Sequence, residues 1–175
     1  MGTFARGLFK VAADTETAEV WLDFTGTAFE YREGGPNANG IIVTPNDQYL
    51  LVVQMNTGQL FRIDTASKEV VEVDLNGETL EGGDGLVLDD RTLYAVIQTN
   101  NEVVSVDLAD DFASGTVRSR FEDESLAYPA TAVKVDDGLL VVNAQFDTME
   151  SEGGPALPFN VLRIPISALQ GGESR

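Results

Sequence analysis

The sequence predicts an all-β fold, a β-propeller of four-stranded antiparallel blades in which about three of six blades are present. Three observations carry this expectation. A small or polar residue repeatedly leads into a short apolar strand, and the leading residues Asn39, Asp84 and Thr131 are spaced 45 and then 47 residues apart. In each repeat a tight polar turn separates that strand from a second apolar one: residues 40–43 with 49–53, 85–88 with 92–97, and 132–135 with 139–142. The second strands run on to Gln54, Gln98 and Gln145. Several strands per unit at a period of about 40 to 50 residues is the spacing of blades set around a central channel.

The elements follow in order along one partial propeller domain spanning 1–175. Residues of about 7–24 alternate weakly in two stretches, 7–12 and 19–24, and read as the third and fourth strands of a blade whose first two strands are not in this sequence. The start, residues 1–9, already reads as a strand. A blade of about 39–75 comes next, with 59–64 as its third strand and 69–75 as its fourth. A second blade, about 84–121, places 102–107 and 116–121 in those roles. An incomplete blade, about 131–165, ends on a third strand at 160–164, because Pro165 lacks the N–H a ladder needs and a Gly-Gly tail follows. The Asn46-Asp47 and Asp89-Asp90 pairs are turn formers for the hairpins at the far end of the blades.

Composition narrows the partners. At 43% apolar content the 175 residues can bury a core, and no apolar run approaches the roughly 20 residues that cross a bilayer. No basic-then-apolar signal segment opens the sequence, and the compartment stays open between secreted and cytoplasmic in a bacterium. Acidic residues number 29 against 11 basic ones, for a formal net charge of −18. Nucleic acid and anionic membrane surfaces are therefore disfavoured as partners, since both are gripped by clustered Lys and Arg. The same charge suits cations or simply a well-solvated surface.

Missing residue types narrow the chemistry. With neither His nor Cys in the chain, a Ser-His-Asp triad, a cysteine nucleophile and imidazole or thiolate metal sites are excluded within it. Oxygen donors remain, and these suit hard divalent cations, calcium first, with magnesium, manganese or zinc as alternatives. Strand parity brings the loop before the first strand and the loop after the second strand of each blade to one mouth. That mouth collects Asn39, Asp84 and Thr131 with Gln54, Asn56, Gln98, Asn100, Gln145 and Asp147.

The segment Asn39-Gly40-Ile41-Ile42-Val43-Thr44-Pro45-Asn46-Asp47 resembles the strand opening and turn of the regucalcin and gluconolactonase-like propellers, and Gly83-Asp84-Gly85-Leu86 is similar to the opening of their following blade. The likeness runs over about residues 7–165 and is nearest to actinobacterial-type members. It implies six four-stranded blades around a divalent cation, usually calcium, with Asn39 giving an amide oxygen and Asp84 a carboxylate. The family's first-blade Glu has no counterpart here. The alternative for both residues is that Asn-Gly and Asp-Gly only shape the turn into the inner strand.

The implied function is part of a divalent-metal-dependent, lactonase-like hydrolase acting on a sugar-type lactone or related ester. Asp84 serves as ligand and base, while Gln98, Asn100, Thr131 and Asp147 are candidates to touch a small-molecule substrate. The competing expectation is a non-catalytic propeller that binds a ligand or protein, with the repeated Gln residues bracing backbone between blades. Half a ring exposes unpaired edges, so the missing propeller half or a second copy of the chain is expected as a partner. The loop of residues 147–158 is either a lid or a surface excursion.

Overall fold

A computed structural model of the chain describes residues 5–171. Of the strand expected over residues 1–9, residues 1–4 lie outside the described residues, and residues 7–9 belong to the first strand. Thirteen strands in the described part form four antiparallel sheets. The first pairs β1 (Gly7–Val11) with β2 (Ala18–Asp23). Blade A runs β3 (Ala38–Val43), β4 (Tyr49–Gln54), β5 (Leu60–Asp64) and β6 (Val70–Glu72). Blade B runs β7 (Gly83–Asp89), β8 (Thr92–Ile97), β9 (Glu102–Leu108) and β10 (Gly115–Glu122). Blade C has three strands, β11 (Pro129–Val135), β12 (Gly138–Asn143) and β13 (Val161–Pro165). Among the described residues no helix is long and apolar enough to cross a membrane.

The middle strands are apolar on both sides because each lies between two neighbours. Leu51 and Val53 of β4 pack toward blade B, whereas Val52 between them packs toward the first sheet. In β8, Leu93, Ala95 and Ile97 face blade A while Tyr94 and Val96 face blade C. Three successive cores thus separate four sheets, where a two-sheet sandwich would have one. Alternation of the pleat sends odd and even residues of one strand into different cores.

Glycine draws the inner strands together. A Cβ on Gly40 would lie 2.2 Å from the carbonyl oxygen of Asp84, and one on Gly85 would lie 2.6 Å from the Cα of Thr131. Any side chain there would push β3, β7 and β11 apart. With the inner strands held this close and the outer strands free to spread, the sheets fan as blades, and the fold is a partial β-propeller.

Short turns close the inner hairpins at the end away from these glycines. Asp47, Asp90 and Asp136 all adopt positive φ, 58°, 54° and 52°, a conformation Asp tolerates better than most residues. The outermost strand of blade A is shorter than the expected 69–75. After Glu72 the chain leaves the blade: Asp74 N–H donates to the Ala113 carbonyl at 3.0 Å, and Gly115 N–H donates back to Asp74 at 2.8 Å. Those two bonds tie the outer rims of blades A and B. Past Pro165 the chain makes a single 3₁₀ turn, Ile166–Leu169. The Leu169 side chain is fully buried, and its carbonyl accepts hydroxyl bonds from Ser105 at 2.8 Å and Ser119 at 2.6 Å.

Candidate functional site

A β-bulge at the same station of each inner strand builds the mouth. Opposite Gln54, Ile97 and Asn143 stand Ala38, Gly83 and Pro129, and in each strand one extra residue then intervenes before regular pairing resumes. A bulge bends its strand and re-aims the side chain it carries. The residues at that station are Asn39, Asp84 and Ala130. This corrects the sequence alignment of the third repeat: Thr131 stands one place along, equivalent to Gly40 and Gly85, and the position matching Asn39 and Asp84 is filled by Ala130.

Asn39 and Asp84 meet on neighbouring inner strands. Both are half-buried. The Asp84 Oδ2 accepts a hydrogen bond from Gln98 Nε2 at 2.8 Å. Burial pushes the Asp84 carboxyl up from an ordinary 3.8 to about 6, and the adjacent Asn39 amide offsets part of that rise by hydrogen-bonding the charged form. Asn39 also donates from Nδ2 to the sulfur of Met55 at 3.2 Å. The result is a carboxylate that is costly to ionise, held by two side-chain amides at the mouth of the fan.

The other expected residues divide. Asn100 is exposed and donates to Glu102 Oε1 at 3.3 Å, which places it beside the Glu102–Arg120 pair rather than with Asp84. Thr131 is exposed and flanks Gly85, its hydroxyl 2.7 Å from where a Cβ on that glycine would stand. Asp147 lies exposed in the 3₁₀ turn Phe146–Thr148. Among the described residues no hydrogen bond or ion pair joins Asp147 to Asn39 or Asp84.

The three Gln residues do not share a station either. Only Gln54 ends its strand; its Nε2 donates to the Glu30 carbonyl at 2.9 Å and to Asn37 Oδ1 at 3.0 Å. Its structural counterpart in blade C is Asn143, which donates to the Ser125 carbonyl at 2.8 Å and accepts from Ala127 N–H at 3.0 Å. Both brace the segment that leads into their blade. Gln145 exchanges two bonds with Ala156, at 3.0 and 2.8 Å, and so ties down the loop of residues 147–158. Gln98 alone of the three grips Asp84.

Glu102 was not singled out in the sequence. Its buried carboxylate is paired with Arg120 at 3.1 Å, and Arg120 also reaches Glu78 at 2.9 Å across the seam between blades A and B. Nothing in its local sequence, Asn-Glu-Val-Val, distinguishes it from a surface residue.

Four-stranded antiparallel blades fanned about glycine-lined inner strands define the class of this chain as a β-propeller. No protein-family model matches the chain, and no curated protein sequence matches it. Among solved structures it is similar to the major allergen Mala s 1 of Malassezia sympodialis, with a TM-score of 0.62 and 18% identity over 91% of this chain and 49% of that one. A nidogen/laminin complex matches with a TM-score of 0.56 and 13% identity over 86% of this chain and 49% of that one. A protein from Lactobacillus plantarum gives a TM-score of 0.51 and 14% identity over 90% and 50%. At these identities the likeness is one of fold alone. The chain spans about half the length of the structures it matches.

Proposed function

We propose that this chain is part of a divalent-cation-dependent, lactonase-like hydrolase of the regucalcin and gluconolactonase kind, acting on a sugar-type lactone or related ester. The observation that carries the reading is the pairing of Asp84 with Asn39 at one bulge station on adjacent inner strands, with Gln98 holding one carboxylate oxygen. A half-buried carboxyl with a raised pKa at a channel mouth is a common property of functional acids and bases.

The donors fit a hard cation in kind and only partly in number. Asp84 gives one charge, and Asn39 gives a neutral amide oxygen. Asn56 Oδ1, on the loop that follows β4, is buried with no hydrogen-bond donor. Calcium takes six to eight oxygens. Among the described residues no three acidic side chains gather to hold a metal, so affinity for calcium is expected to be weak, about 10⁻⁴–10⁻³ M.

When bound, a divalent ion polarises an ester carbonyl and makes water more acidic. The chain's own part is to supply a base and to fix its orientation. In the cation-free protein the Asp84 carboxyl, with a pKa near 6, is mainly ionised at pH 7; a bound cation would favour the ionised form further, and Asp84 would then act as the acceptor that orients and deprotonates a water attacking the lactone carbonyl. Gln98 fixes the rotamer of that carboxylate by its bond to Oδ2.

A second reading, a binding platform without catalysis, draws on Gln54 and Gln145, whose amide nitrogens are spent on bracing neighbouring segments rather than turned to a ligand. Calcium titration separates the two. On the hydrolase reading, millimolar calcium raises the melting temperature and EDTA reverses it, and Asp84→Ala and Asn39→Ala each abolish the response. A fold that melts identically with calcium or EDTA favours the platform.

A further inference from the structure

We propose that two copies of this chain associate head to tail, the outer face of blade C in one copy covering the inner strand of blade A in the other. The inference rests on the repeat itself. The bulge register makes Ile42, Val87 and Val133 equivalent, and makes Ile41, Leu86 and Ala132 equivalent. Within the fan the first set packs against the second: Ile42 joins Leu86 in the core between blades A and B, and Val87 joins Ala132 in the core between blades B and C.

At the two ends each set lacks its counterpart. Val133 is 56% exposed and Val135 40%, both on the face of β11 turned away from blade B. Ile41 is 36% exposed and Val43 43%, both on the face of β3 turned away from blade B. Sheet β1–β2 covers the middle and outer strands of blade A but leaves a cavity of about 430 Å³, lined by Leu8, Trp21, Ile41 and Leu50 among others, next to the inner strand. A second copy brings, at the inner strands, the contact that already forms twice within the chain. The chain spans about half the length of the structures it matches, so two copies together have a comparable length. Head-to-tail contacts close into a ring when the rotation per copy divides a full turn, here two copies about the channel axis. The opposing force is charge, −18 on each copy, so association strengthens with salt.

Sedimentation equilibrium on the unaltered chain is the first test, and a species of twice 18.8 kDa that grows between low salt and about 1 M salt is expected. Val133→Glu and Ile41→Glu should each return the mass to that of one chain, since each spoils one half of the junction. The cysteine-free background gives a test that does not depend on those variants folding. In the head-to-tail pair Ala130 of one copy stands to Asn39 of the other as Asn39 stands to Asp84 within a copy, so the Asn39→Cys, Ala130→Cys double variant should oxidise to covalent dimers. A single-chain mass at every concentration in high salt overturns the proposal. So does a dimer that Ile41→Glu leaves intact, or a double-cysteine variant that keeps free thiols.

Discussion

Asp84 is held in a charged form that its surroundings disfavour. Its folded pKa, about 6, lies above the 3.8 of an exposed aspartate, so the folded state binds a proton more tightly than the unfolded one. The stability this group contributes is present below about pH 4 and is lost as the pH rises through about 6. In cation-free protein, Asp84→Asn should therefore be more stable than the parent by about 1–2 kcal/mol at pH 7.5, with the gap closing below about pH 4. Urea unfolding at the two pH values measures it. A variant less stable than the parent at pH 7.5 would show that the carboxylate is a structural support and not a strained functional group. Asn39 keeps its polar contacts either way, through the Met55 sulfur.

Among the elements, the bulged inner strands decide most. Gly40 lets β3 lie against β7, and a methyl group there would meet the backbone oxygen of Asp84 at 2.2 Å, an atom that cannot swing aside. Gly40→Ala is expected to destabilise the chain by about 2–3 kcal/mol or more in chemical denaturation. Gly35→Ala, where a Cβ would meet nothing within 4 Å, should fall within about 0.5 kcal/mol of the parent. A small loss at Gly40 would mean the inner strands are not in close contact.

The strands themselves were legible because period and burial leave a plain signature: apolar runs such as Tyr49–Gln54 and Thr92–Ile97, separated by Asp-containing turns. The bulge was not. An extra residue in one strand shifts the count by one without altering the apolar pattern, which is why Thr131 took the place of Ala130 and three Gln residues seemed to share a station. Of the site, the Asn39 and Asp84 pair was readable from Asn-Gly and Asp-Gly openings in register. The reach of Asn100 toward Glu102, and the burial of Glu102 itself, depend on Arg120 from a strand 18 residues on, which no local pattern announces.

At the scale of the whole molecule, three cores hold four sheets, and the inner strands of blades A and C leave apolar side chains exposed on the faces turned away from blade B. The mouth forms because blades A and B stand side by side with their bulges level. The most direct measurement of that is disulfide formation in the double variant Asn39→Cys, Asp84→Cys, which is clean because the chain has no other cysteine. A disulfide forms only when the two Cα atoms come within about 7 Å. Rapid oxidation to an intrachain bond is expected, seen as loss of both free thiols with no change in the mass of the chain on a non-reducing gel. Two thiols that stay free in the folded protein under the same oxidant would contradict it.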